Sequence, residues 1–512
     1  MKTFLAEIKG YDPGTSSEKT LYFSTLSVPV FAHTDANRPD ILYQARISDI
    51  GSIPRYMYGS GRTTGSTSSA GGSIDLINAD NALDDLLPYG FDGRGIAIYR
   101  GDVGSPFNSY TKVISGTVEL PEFTFTKSQA STVHFVLRDK WKLFDKNISQ
   151  TLYAGTNTGP TGNEGLADDL KGKRKPLCFG QVFNITPTPC NVPGLRYQVH
   201  NGAIQDVTAC YIDGIAQTKV AAPPGAAQYS VDTATGIITL GSSPAGGQVT
   251  CDVQGYKPSG TYYTKVGDLI SSICQVYGGL TAGEINSAAI AALNAANSAT
   301  VGVYYDGGSE VTIAKVLDEL INSIGGYTYF DRLGVLQVGR ISDPASGTSL
   351  KTFIERDFDE FEIIASNDEE KGVPAYRVTV NHTVNYTVQT KVAGAVTDAR
   401  LAWLGKDKRA EQASDAAVKT VYLLSPEMTR DTYLTSASDA ANEATRLLNL
   451  YKVRRGFYKA VIELDANAAL DLGQVVTVKM NRFSLSAGKK LLIIGIIEHA
   501  PTQNKMTLEL WG

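Results

Sequence analysis

Acidic residues fall in tight groups at Asp84/Asp85, Asp168/Asp169, Asp357–Glu362 and Asp368–Glu370. Glycoside hydrolysis needs two carboxylates facing each other across a sugar, one of them in a pocket that raises its pKa. Adjacent acids in turn-forming sequence more commonly make a solvated face. In Asp357-Phe358-Asp359-Glu360-Phe361-Glu362 the phenylalanines are expected inward and the acids outward. The five histidines (His33, His134, His200, His382, His499) are scattered, with no HExxH or His-x-His spacing for a metal. The five cysteines (Cys178, Cys190, Cys210, Cys251, Cys274) are odd in number and lack CxxC spacing. They read as free buried thiols of a protein made in a reducing compartment, each a small apolar residue in a strand or helix pattern. A Cys–His peptidase would not need its partners close in sequence. No Gly-x-Ser-x-Gly elbow is present. No catalytic, cofactor-binding or metal-binding residue is assigned, and the chain is expected not to be an enzyme.

Two further stretches invite a binding role. Gly59–Gly72 is built almost wholly of Gly, Ser and Thr. A phosphate cradle would need such glycines to open a helix, and Ile74-Asp75-Leu76-Ile77 is too short and too β-like for one. Ser60–Gly72 therefore reads as a long exposed loop, dispensable for folding. Lys171, Lys173, Arg174 and Lys175 form a basic run without interleaved aromatics, expected to be a solvated hinge rather than a nucleic-acid patch.

The stretch Gly172–Pro193 organises the rest of the chain. A short apolar strand with Leu177, Phe179, Val182 and Ile185 is followed by Pro187, Pro189 and Pro193, which exclude a helix or a central strand there. We read residues 171–196 as a joint. Residues 1–170 before it are a β-rich domain, with strands expected at Lys2–Ile8, Thr20–Phe23, Gly95–Arg100, Tyr110–Leu120 and Thr132–Leu137. Leu83–Leu87 forms a helical turn ended by Pro88. Residues 197–258 form a small inserted β module, with a hairpin at Asp213-Gly214 and a second pair across Asp232–Thr235. Residues 259–350 form an α+β domain. Its helices are expected near Val266–Tyr277, Glu284–Ala296 (Ile285, Ala289, Ala292 and Leu293 inward) and Thr312–Ile324, with a Tyr/Phe hairpin after the last. Residues 351–512 form a second β-rich domain. Strands are expected at Ala375–Thr390, Ala417–Leu424, Tyr458–Leu464, Val475–Met480, Lys490–Glu498 and Lys505–Trp511. One long helix spans Ser436–Lys452, capped by Ser436 or Ser438.

Bulk properties agree with this division. A chain of 512 residues needs roughly three or four domains. Its 50 Gly and 26 Tyr, against 5 Met and 3 Trp, make a β-and-turn composition. A net charge of -5 argues against a dedicated nucleic-acid binder, though not against a channel that DNA passes through. Glu7, Lys9, Gly10 and Asp12 interrupt the N-terminal apolar run too early for a signal peptide. No apolar run nears the ~20 residues of a membrane span. The expectation is a protein made in the cytoplasm and soluble, mainly β with an α+β part.

The order of the pieces carries a resemblance. Leu86-Leu87-Pro88-Tyr89-Gly90-Phe91-Asp92-Gly93-Arg94, a strand ending Tyr99-Arg100-Gly101, and Lys175-Pro176-Leu177-Cys178-Phe179-Gly180-Gln181-Val182-Phe183-Asn184-Ile185-Thr186-Pro187 stand in sequence. The later half adds the helix and hairpin of Val316–Val338 and an ending from Leu472-Gly473-Gln474-Val475-Val476 through Ile493-Ile494-Gly495-Ile496 to Leu508-Glu509-Leu510-Trp511-Gly512. The chain resembles the tail-tip or baseplate hub proteins of long-tailed bacteriophages, especially non-contractile ones. The resemblance implies a virion structural protein at the distal end of the tail tube, with tube-like β-barrel or sandwich domains. It also implies a homotrimer that contacts the distal tail protein, the tape measure protein and tail fibre or tip proteins. Phage DNA would pass through its channel without sequence-specific binding. Some relatives carry an appended lysozyme or peptidase domain, and none is expected here. Two other readings stay open from the residues. One is a distal-tail or receptor-binding protein whose segment Tyr197–Gly255 binds carbohydrate; the other is a tail-associated glycan-degrading enzyme.

Overall fold

A computed structural model describes residues 2–26, 31–127, 131–499 and 503–512. The chain is mainly β and folds around several sheets, each with its own apolar core. The first and largest sheet takes its strands from residues 2–138. Lys2–Asp12 lies at its heart, between Ser17–Ser24 and Gly95–Asp102, and the order continues through Thr111–Val118, Thr132–Arg138, Gly71–Ile77 and Ile47–Ile50. Period-two burial explains the strands: in Thr132–Arg138, Val133, Phe135 and Leu137 face inward while their neighbours do not. The turn at Leu83–Leu87 is a 3₁₀ turn over Asp84–Leu86, stopped before Pro88.

Leu177–Ile185, expected inside a joint, is an interior strand. Its first half pairs antiparallel with Gly302–Tyr305 and its second half with Val249–Tyr256, which in turn pairs with Ile204–Ile212. One strand is thus shared between the small β unit and the helical part, and its side chains enter both cores. Gly180 stands where the register demands it: its φ is +67°, and an added Cβ would lie 2.0 Å from the Val301 carbonyl oxygen. Pro189 sits in the strand Thr188–Asn191, at the edge of its sheet, where a missing N–H is tolerated. The solvated-hinge expectation fails at Lys175. It is buried, with Nζ 2.5 Å from Glu164 and over the Tyr153 ring. Arg174 pairs with Glu310 at 2.6 Å.

Among the described residues six α-helices are set among the later strands: α1 (Val266–Val276), α2 (Ser287–Ala296), α3 (Ile313–Asn322), α4 (Asp398–Leu404), α5 (Val418–Val421) and α6 (Ala437–Tyr451). Thr312 caps α3 by accepting from the Lys315 N–H. Ser436, not Ser438, caps α6 through the Asp439 N–H at 3.1 Å. The inward face of α2 is carried by Ile290 and Leu293, while Ala292 is exposed. The strand expected at Ala417–Leu424 is absent. The Asp415 carboxylate accepts from the Ala417 N–H in a turn that leads into the short α5, where Val418 is buried and Val421 faces solvent. The strand expected over Ala375–Thr390 is limited to Arg377–His382, flanked by Arg409–Ser414 and Glu427–Asp431 with α6 packed on that sheet.

Residues 349–511 supply the second large sheet, in the order Ser349–Ile354, Val475–Lys479, Lys489–Glu498, Lys505–Trp511, Phe457–Glu463, Glu360–Ile364. Its seventh strand comes from far away in sequence: Ile53–Tyr56 pairs with Lys489–Glu498, Tyr56 opposite Gly495. No helix among the described residues is long and apolar enough to cross a membrane.

Gly180→Ala tests the shared strand. A side chain at positive φ costs about 1–2 kcal/mol before any clash is counted. The expected outcome is a destabilisation of at least about 2 kcal/mol with loss of the 177–180/302–305 pairing, read by thermal melting and by amide exchange at Val303.

Candidate functional site

The segment from Ile53 to Ala70 leaves the first sheet, runs into the second, and returns. It is a strap between the two, and this corrects the expectation of an exposed, dispensable loop. Met57 and Tyr58 are buried in the apolar core of the second sheet. Thr63 is 1% exposed, and Gly61 and Ala70 are buried; only scattered positions such as Arg62, Gly65 and Ser66 face solvent.

The composition that suggested flexibility serves a different purpose. Gly, Ser and Thr give little apolar surface but many N–H and O–H donors, and buried donors must be matched. Acceptors come from four separate parts of the fold. The Glu509 carboxylate accepts from Ser60 Oγ at 2.6 Å and from the Gly61 N–H at 2.8 Å. Asp368 accepts from the Thr63 N–H at 3.0 Å and its hydroxyl at 2.7 Å. Asp318, on α3, accepts from the Thr67 N–H at 3.0 Å and its hydroxyl at 2.7 Å. Asp139 accepts from the Ala70 N–H and the Ser69 hydroxyl, both at 2.8 Å, and from the Trp141 N–H at 3.0 Å. The Tyr58 hydroxyl donates to the Gly326 carbonyl.

At the head of the strap lies a buried charge cluster. Arg55, 3% exposed in its side chain, contacts Asp471 at 2.7 Å and Glu498 at 3.7 Å. Arg332 reaches the same Glu498 at 2.7 Å. Burial works against the Arg55 charge, yet Asp471 and Glu498 more than offset it and hold the guanidinium protonated. The carboxyls that accept from the strap are instead pushed toward their neutral forms. Burial pushes Asp139 up to about 6, and it raises Asp318 and Asp368 despite the hydrogen bonds that favour their charged forms.

The other acidic groups serve structure. Asp84 accepts from the Asn78 amide at 2.8 Å. Asp168 and Asp169 are exposed. Asp357 accepts from the Ile354 N–H, Asp359 pairs with Lys505, Glu362 with Lys459, and Glu370 with Arg430. The Phe358 and Phe361 rings pack against the second core, as the alternation suggested. His200 is buried and its Nδ1 accepts from the Cys178 N–H, burial lowering its pKa to about 3. All five cysteines are free and buried. Among the described residues no group of three or more His, Cys, Asp or Glu is placed to hold a metal ion. In Tyr197–Gly255 Tyr229 is buried, Tyr197 is half-buried, and Tyr211 is half-buried with the Arg400 guanidinium over its ring. The most exposed apolar side chains stand elsewhere, at Leu423 (84%) and Leu424 (92%) after α5, and at Phe125 (78%).

Deleting residues 60–70 behind a short linker is expected to give insoluble or strongly destabilised protein. Asp368→Ala leaves the buried Thr63 N–H unpaired, at about 1–3 kcal/mol, and leaves the Thr63 hydroxyl only the Tyr451 hydroxyl at 3.1 Å; its melting point should fall, while Asp168→Ala should be silent. Asp139 also predicts a pH dependence. Below about pH 4 its carboxyl is protonated in both the folded and the unfolded chain. Between about pH 4 and 6 the unfolded carboxyl is charged and the folded one is not, so stability falls as pH rises, then levels off. The shift from 3.8 to about 6 amounts to roughly 3 kcal/mol. Asp139→Asn should flatten that slope in denaturant titrations.

No protein-family model matches the chain, and no curated protein does. Among solved structures the chain is similar to the tail protein from Neisseria meningitidis MC58, at 8% identity and TM-score 0.44, covering 100% of this chain and 96% of that one. It is also similar to the 43 kDa tail protein of prophage MuSo2 from Shewanella oneidensis, at 11% identity and TM-score 0.43, covering 100% and 98%. A third similar structure is prophage tail protein gp18 from Listeria monocytogenes EGD-e, at 8% identity and TM-score 0.42, covering 99% and 94%.

Proposed function

We propose that the chain is a structural virion protein, a baseplate hub at the distal end of a phage tail tube that joins the tube to tip or fibre proteins. The observation that carries this reading is the pair of large β units, residues 2–138 and 349–511, tied together by the strap. A hub has to present two tube-like units per chain at a fixed spacing. Three chains then offer six units around the axis, so a threefold tip meets a sixfold tube without a symmetry clash. Rotational closure of repeated head-to-tail contacts gives such a ring. The edge strands Ser349–Ile354 and Glu360–Ile364 leave backbone groups open for a neighbour, and Leu350 and Ile363 on them are exposed. The exposed Leu423 and Leu424 offer a further apolar contact. The distal tail protein and the tape measure protein are the expected neighbours. A net charge of -5 gives DNA no overall electrostatic attraction, which suits passage through a channel without binding.

Cryo-EM of the tail tip tests the assembly. The expected result is three copies, with the regions near Met1–Ser149 and Thr352–Gly512 alternating around the channel. Six copies in one ring, or one copy on the axis, would refute it. Leu423→Ser with Leu424→Ser should leave the melting point of the free chain unchanged and lower its incorporation into particles at least tenfold.

A further inference from the structure

Cys210 and Cys251 stand directly opposite each other on the antiparallel strands Ile204–Ile212 and Val249–Tyr256. Which kind of pair they form follows from the hydrogen bonds around them. The Asp213 N–H donates to the Gln248 carbonyl at 3.0 Å, and Asp213 is one step past the Ile212/Val249 pair. Bonded and unbonded pairs alternate along an antiparallel ladder. Counting back, Ile212/Val249 is unbonded, Tyr211/Thr250 bonded, and Cys210/Cys251 unbonded. The Cys210 carbonyl agrees: it accepts from the Gln217 N–H at 2.8 Å, away from Cys251. Unbonded pairs are the close ones, with Cα atoms about 4.5 Å apart. That lies within the span of about 4.4–6.8 Å that a disulfide bridges. Both side chains are fully buried in one apolar cluster, so they point to the same face of the sheet.

We propose that Cys210 and Cys251 are an oxidisable pair, joined into an intrachain disulfide by exchange with a small-molecule disulfide such as oxidised glutathione. In the first step the thiolate of one cysteine attacks the external disulfide, forms a mixed disulfide and expels one glutathione thiolate. The thiolate of the other cysteine then attacks the protein sulfur and expels the second glutathione thiolate. The two cysteine thiols lose two electrons and two protons, and the external disulfide gains two electrons and becomes two thiols. Both thiols are fully buried, so exchange requires a local opening of this edge of the sheet, where Ile204–Ile212 pairs with the two-residue strand Ile215–Ala216. The bond would close a long loop and fix the pairing of these strands. The other cysteines are placed apart: Cys178 faces Tyr304 in register, Cys190 lies in a separate cluster, and Cys274 is on α1. Burial holds the Cys251 thiol well above the ordinary thiol range, so exchange is expected to be slow at neutral pH and faster with rising pH.

Incubation of the full chain with excess oxidised glutathione at pH 7 and pH 9 tests this, followed by alkylation and non-reducing peptide mapping. The expected result is loss of two of the five alkylatable thiols, a Cys210–Cys251 cross-linked peptide, faster formation at pH 9, and a higher melting midpoint reversed by dithiothreitol. Cys274→Ala should still form the bond and Cys210→Ala should not. The mapping on the unaltered chain decides the matter even where a variant fails to fold. Five free thiols after oxidation, stable glutathione adducts without the cross-link, or a different pairing would each overturn the proposal.

Discussion

Buried hydrogen-bond donors need acceptors, and that requirement holds residues 60–70 in place. The Gly, Ser and Thr residues of this strap cannot contribute much apolar burial. What holds them is a set of carboxylates, Glu509, Asp368, Asp318 and Asp139, each on a different part of the chain. Because these bonds lie out of water, breaking one leaves an unmatched polar group, and the penalty exceeds the net gain of an ordinary exposed bond. The Arg55 cluster has the same character: its partners compensate a desolvated charge, and losing one of them would cost about 3–5 kcal/mol.

The first large sheet is therefore not an appendage. Ile53–Tyr56 completes the second sheet, and at the other end of the first unit Trp141, Phe144 and Ile148 enter the core beneath α1 and α3. Leu177–Ile185 then stitches the small β unit to the helical part from within one sheet. Two of these connections, read from the sequence as a loop and a joint, are packed elements. Load applied to one β unit would pass to the other through backbone pairing rather than through a flexible tether.

Local signals were read well from the sequence because they depend on neighbours in the chain. The Asp213-Gly214 turn, with both residues at positive φ, forms the expected hairpin. Ser436, one of two candidate caps, and the Val266, Leu269, Ile270, Ile273 face follow from local spacing. Errors came where a distant partner decides the outcome. Nothing near Thr63 or Thr67 reveals that Asp368 and Asp318 will meet them, and nothing near Lys175 announces Glu164. Ala417–Leu424 has the apolar, β-branched composition of a strand, yet it forms the short α5 and leaves Val421, Leu423 and Leu424 exposed. The grouped acids hinted at chemistry, and of those groups only Asp368 is a buried acceptor; no motif spacing separates it from the exposed Asp168.

The central claim is that residues 57–70 are a packed strap joining two β units. Hydrogen exchange on the free chain measures it residue by residue. The account predicts that the amides of Gly61, Thr63, Thr67 and Ala70 exchange as slowly as those of the strands Lys489–Glu498 and Lys505–Trp511, with Arg62 and Ser66 faster. Uniform exchange across 60–70 at the rate of an unstructured Gly/Ser linker would contradict it.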